Sequence, residues 1–158
     1  HGQGDTNLEA IYLADWAYTS LQAHQYDQCI TQGRRALELY NSLEQPLSTP
    51  FIFATIANAH LELSDVASST RAVNEALRIL DQCGGEGPDY PARDYWMCVT
   101  VLTMLGRETD AQHARRRAQE ILLERADRIS DPTMRHSYLF NVAVHAAISG
   151  VANAPIRA

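Results

Sequence analysis

The sequence predicts an all-α chain, and three observations carry that prediction. Apolar residues recur at i, i+3, i+4 and i+7 through long segments. Gly and Pro punctuate the chain in only a few places, chiefly 45–50, 83–91, 130–132 and Gly150. No segment of any length alternates with the period of two that a half-buried strand needs, so no sheet is expected.

Seven helices follow in order, at roughly 7–23, 26–44, 49–63, 65–83, 91–105, 108–129 and 132–148. The first carries the stripe Leu13, Trp16, Ala17 and Ser20. The third carries Phe53, Ile56, Ala57 and His60, and the fifth Tyr95, Cys98, Val99 and Leu102. Each is followed by a short break and a second striped helix. Ile30, Gly33, Ala36, Leu37 and Tyr40 line one of these. Val66, Val73, Ala76, Leu77 and Leu80 line the next, and Ala111, Ala114, Ala118, Ile121 and Leu122 the last. Pro50 and Pro91, preceded by Thr49 and Tyr90, suit first helical turns, as does Pro132 after the capping residue Asp131. Gly106 is a natural stop between the fifth and sixth helices. In the seventh, Met134, Tyr138, Val142 and Ala146 share one side, while Arg135, His136 and Asn141 lie on the other.

Composition bounds the function. The chain has 158 residues, 46% hydrophobic and 20% charged, which is one ordinary globular domain. Its net charge of −6 argues against broad nucleic-acid binding. All 13 basic residues are arginine, so Schiff-base and P-loop lysine chemistry is excluded. No stretch approaches the ~20 apolar residues of a membrane span, and residues 1–5 lack the pattern of a signal peptide. Cys29, Cys83 and Cys98 are odd in number, far apart and without a C-x-x-C pair. Reduced, mostly buried thiols in a cytoplasm are expected rather than a disulfide or zinc framework.

The helix pairs resemble one another. The Ala36-Leu37 step recurs 40 residues on as Ala76-Leu77, and the Ala again 42 residues later at Ala118. A small residue stands seven earlier each time, at Cys29, Ser69 and Ala111. Small side chains there let paired helices approach closely.

On these residues the chain resembles the tetratricopeptide repeat (TPR) family. Tyr26-Asp27-Gln28-Cys29-Ile30 with Ala36-Leu37-Glu38-Leu39 looks like the second half of that repeat, and Gly106 to Ala111 looks like its turn. The period exceeds the usual ~34 residues. Such long repeats resemble those in the C-terminal regions of bacterial multidomain signalling ATPases and transcriptional regulators. The segment from Ile129 to Val142 looks like the end of such an array. The resemblance implies a right-handed α-solenoid of three helix pairs, at about 8–45, 48–84 and 90–129, with a capping helix at 132–148. Residues 1–7 are then a flexible N-terminal segment, 8–149 the domain, and 150–158 a tail.

Catalytic chemistry finds little support. The six histidines lack metal-ligand spacing, and His60, on an apolar stripe, reads as a buried, hydrogen-bonded residue. Cys29 occupies a packing position rather than that of a nucleophile. The glycines at 84, 85 and 87 lack a P-loop's lysine and preceding strand, and read as a linker. After residue 91 there are 9 Arg against 7 acids, and before it 4 against 12. The run Arg115-Arg116-Arg117 is expected to be a solvated face, with Glu120 and Glu124 within helical pairing reach of their neighbours.

The face one step around from each first-helix stripe is more informative. In the resembled family it lines a concave, partner-binding groove. The candidate residues are Tyr18, Leu21, Phe51, Asn58, Arg93, Trp96 and Thr100, whose aromatics, amide and guanidinium suit such a surface. Asn58 matches one group that some family members use to clamp a terminal carboxylate, but Ala14 and Tyr18 do not match the others. The expected function is a non-catalytic interaction or regulatory module within a larger cytoplasmic bacterial signalling protein. The alternative is a small-ligand sensor that relays a signal to a neighbouring ATPase or cyclase domain. The expected partner is a protein or peptide segment, possibly of the parent protein. No enzyme activity, cofactor, metal, direct nucleic acid or membrane contact is expected.

Overall fold

The computed structural model describes residues 3–84 and 86–150. Among them are eight α-helices, one 3-10 turn and no strand. The helices are α1 (Gln3–Gln22), α2 (Tyr26–Ser42), α3 (Pro50–Glu62), α4 (Val66–Gln82), α5 (Pro91–Met104), α6 (Glu108–Asp127), α7 (Pro132–Phe140) and α8 (Ala143–Ile148). The 3-10 turn, Pro46–Ser48, sits between α2 and α3.

The packing is sequential. α1 packs most closely on α2, α3 on α4, and α5 on α6. α3 also touches α1 and α2, and α5 touches α3 and α4. The core accordingly forms two clusters that meet in α3. Ile52, Ile56 and Ala59 join the cluster of α1 and α2. Ala54 and Ala57 join that of α4, α5 and α6. Ala36, Ala76 and Ala118 are fully buried, as are the small residues Cys29, Ser69 and Ala111 seven positions earlier. At Gly33, an added Cβ would stand 2.7 Å from Cγ1 of Ile56, so glycine is what lets α2 and α3 approach this closely.

One turn closes all three first helices. His24, Ser64 and Gly106 each take φ near +60° (58°, 63° and 69°) just after α1, α3 and α5. In each, the amide of the next residue, at Gln25, Asp65 and Arg107, bonds back to the carbonyl five residues earlier, at 2.8–2.9 Å. The turn after α2, at Glu44, and the one after α4, at Gly84, repeat the conformation (φ 55° and 62°). Asp131 caps α7 as expected, accepting the Met134 amide at 2.7 Å. Asp65 caps α4 in the same way. The Thr49 hydroxyl caps nothing and bonds Pro46 O instead, at 2.6 Å.

Four expectations are corrected. α1 begins at Gln3, so residues 3–7, expected to be a flexible segment, are helical; residues 1–2 lie outside the described residues. Trp16 and Val66 are exposed rather than on the buried stripes, because α1 packs through Ala10, Leu13, Ala14 and Ala17, and α4 through Ser69, Val73 and Ala76. The expected helix over 132–148 breaks at Asn141–Val142, where Val142 turns extended (ψ 117°). Met134 and Val142 are consequently exposed. Tyr138, Leu139, Val144 and the fully buried Ile148 cover the α5–α6 core instead. Arg135, expected on the solvated side, is half-buried and donates from Nε and Nη2 to Ile129 O. Residues 151–158 of the expected tail lie outside the described residues.

Candidate functional site

The seven candidate residues come from the first helix of each pair. Tyr18 and Leu21 stand on α1, Phe51 and Asn58 on α3, and Arg93, Trp96 and Thr100 on α5. The turns at His24, Ser64 and Gly106 set the register, 40 and then 42 residues apart. In that register Tyr18, Asn58 and Thr100 are the same position three times over.

The structure brings them onto one surface. Tyr18, Leu21, Asn58, Trp96 and Thr100 line a hollow of about 400 Å3, with His24, Tyr26, Glu62 and Met97 at its sides. Phe51 and Arg93 line an adjoining hollow of about 370 Å3, with Asp89, Tyr90 and Asp94. A ring contact joins the two, because the Tyr18 and Phe51 rings lie 5.3 Å apart. The Arg93 guanidinium stands over Phe51, 4.1 Å from its centroid, and 4.8 Å from that of Tyr90. Tyr18 is exposed, whereas Phe51 and Trp96 are half-buried with their inner edges against the core. Arg115 of α6 reaches within 5.9 Å of the Trp96 centroid.

Two polar chains fix this surface. Arg93 donates through Nε and Nη2 to Oδ1 of the buried Asp94, at 3.0 and 2.9 Å. Burial pushes the Asp94 carboxyl up to about 6, against the opposing pull of Arg93. At the other end, Tyr26 donates to Glu62 Oε2 at 3.4 Å, and its hydroxyl meets His24 Nδ1 at 2.8 Å. Sequence reasoning missed Asp94, His24 and Tyr26. Asp94 carried a faint signal, being a lone acid on a buried helix face.

Elsewhere the chemistry is structural. The Cys29 thiol is buried 3.9 Å from Thr55 O, and burial raises it to about 12. Burial raises the fully enclosed Cys98 too. Neither is a thiolate at neutral pH. His60 is buried, with Nδ1 3.2 Å from Asp65 Oδ2, and desolvation holds it below its usual value. Among the described residues no three His, Cys, Asp or Glu side chains are grouped to hold a metal ion, and no helix is long and apolar enough to cross a membrane.

On the basic stretch Arg117 pairs with Glu120 at 2.6 Å as expected. It also reaches Gly84 O at 3.0 Å, and Arg125 reaches Asp89 O at 3.0 Å, so two arginines anchor the glycine-rich connection to α6. Gly85 of that connection lies outside the described residues. A larger hollow of about 710 Å3, between α2 and α4 and flanked by Glu38, Glu75 and Arg78, contains none of the candidate residues. No protein-family model, no curated protein and no solved structure matches the chain.

Proposed function

We propose that this chain is a non-catalytic interaction module. In this reading the helix pairs form a right-handed solenoid of the TPR type, closed at one end by α7 and α8. It serves as part of a larger cytoplasmic bacterial signalling or transcription-regulating protein. Its partner is an extended protein or peptide segment lying along Tyr18, Leu21, Phe51, Asn58, Arg93, Trp96 and Thr100.

One observation carries the proposal. Three register-equivalent side chains from successive first helices line a single hollow beside a half-buried Trp. Aromatic anchors at the sides and an amide at the centre suit a peptide, whose side chains fill apolar recesses while its backbone meets Asn58. Both hollows open onto solvent, which favours a segment passing through over an enclosed small molecule.

The test is selection of a random peptide library on the immobilised protein, with enriched peptides re-measured on variants. Tyr18→Ala and Trp96→Ala are each expected to weaken binding by about 2 kcal/mol, and Arg116→Ala to leave it intact. Tyr18 is exposed, so its variant keeps its melting temperature even if the loss of Trp96 disturbs the core. Peptides that lose binding on Arg116→Ala, and keep it on Tyr18→Ala, would place the site on the basic face of α6 and overturn the reading.

A further inference from the structure

The hollow beside Phe51 contains a hydroxyl that the fold leaves unused. Tyr40 of α2 is only 6% exposed and packs in the core with α1 and α3. It borders that hollow, and its hydroxyl makes no hydrogen bond among the described residues. A polar group this enclosed ordinarily has a partner. Burial raises its titration, and the negative charges of Asp15 and Asp89 raise it further, so the hydroxyl lies within reach of both. Those two acids line the same hollow. Among the described residues neither carboxylate accepts a hydrogen bond or meets a cation in an ion pair.

The walls of the hollow are fixed. Gly87, at φ 98°, stands so close to Leu47 that an added Cβ would lie 2.5 Å from its Cδ1. The connection ahead of α5 thus closes against the 3-10 turn. Arg125 holds Asp89 by its backbone carbonyl, at 3.0 Å, and leaves the carboxylate open. Arg93 is committed to Asp94 and to the Phe51 and Tyr90 rings. The lining therefore carries three carboxylates, Asp15, Asp89 and Asp94, against the one guanidinium of Arg93.

We propose that this hollow is a pocket for the cationic end of an arginine or lysine side chain. The inference rests on the proposed function in taking that side chain from the segment in the groove, with which the Tyr18–Phe51 contact makes the hollow continuous. The incoming cation donates to Asp15 and Asp89, and the Tyr40 oxygen accepts a further N–H. Its methylenes lie on Ile11 and Phe51. An acidic side chain would face two open carboxylates and find Arg93 already paired.

The probes are the acetylated amides of arginine, lysine and neutral citrulline, titrated into the isotopically labelled full chain and followed by NMR. The expected result is saturable shifts at Asp15, Tyr40 and Asp89 with both cations and none with citrulline. Tyr40→Phe should weaken binding about fivefold, and Asp15→Asn combined with Asp89→Asn about tenfold. The melting temperature should hold, because the groups removed make no hydrogen bond in the fold. Should Tyr40→Phe disturb the core, the two exposed acids decide. Glu38→Gln, which removes an acid from the hollow between α2 and α4, should change nothing. No binding of either cation, or binding indifferent to the double variant, overturns the proposal. Equal shifts with citrulline would show that charge is not recognised and would also overturn it. Cation binding at these residues without selection of any library peptide would uphold the pocket and overturn the extended-segment reading. Library peptides that depend on Tyr18 and Trp96 yet carry no basic residue would do the reverse.

Discussion

Asp94 shows what one residue's environment does to the stability of the whole chain. Its carboxyl titrates near 6 in the folded protein because burial disfavours the charge, and near the usual carboxylate value when unfolded. Between those values the folded state holds a proton that the unfolded state has lost. This group's contribution therefore falls as pH rises through the window, and is flat above it. Each pH unit separating the two titrations is worth about 1.4 kcal/mol. Asp65, held low by the Ser68 bonds, and Glu75, held low by Arg78, work in the opposite sense. The clean readout is thus the difference between wild type and Asp94→Asn. In urea unfolding, wild type should lose ground to the variant between pH 4 and 7. If it gained ground instead, the Arg93 pairing would outweigh desolvation.

At the scale of the element, the turns explain both what could be read in advance and what could not. Helical spacing and the spacing of small residues made the first six helices legible, since both are imprinted on residue type. The breaks after residues 23 and 63 were legible too, but the left-handed conformation at His24, Glu44 and Ser64 was not, because a left-handed residue is conspicuous in sequence only when it is glycine, as at Gly106. Trp16 was misplaced for a related reason. Periodicity registers apolar character, whereas burial depends on whether a neighbour covers the residue, and none of the described residues buries Trp16. The same limit hid the break at Asn141–Val142. The seven candidate residues were legible as a face because one register governs all three first helices, but the acid behind Arg93 needed coordinates. Ser64 gives a direct test. Its φ of 63° costs a non-glycine residue on the order of 1 kcal/mol. Ser64→Gly should therefore raise the urea midpoint by up to about 1 kcal/mol of stability, offset in part by the freer unfolded chain. A lower midpoint would show that the Ser64 side chain contributes more than its backbone costs.

Among the described residues the first and last helices are unlike. Tyr12 and Trp16 of α1 are exposed, whereas α7 and α8 fold back over α5 and α6 through Tyr138, Leu139, Val144 and the buried Ile148. Such a cover keeps the apolar side of α5 and α6 out of water. Truncation after Ile129 should uncover that core and lower the melting temperature, with aggregation visible by light scattering. A monomeric fragment with unchanged melting would show that α7 and α8 merely rest on the surface.

The sulfur atoms give this polarity a time axis. Cys29 is sealed between the first two pairs and Cys98 in the core that α5 shares with α3, α4 and α6, while Cys83 sits half-open at the end of α4. A thiol reagent present in excess would mark Cys83 early, and the other two only as their surroundings part. The order in which Cys29 and Cys98 are modified thus records which end of the stack loosens first, and the native chain carries its own clock for its own unravelling.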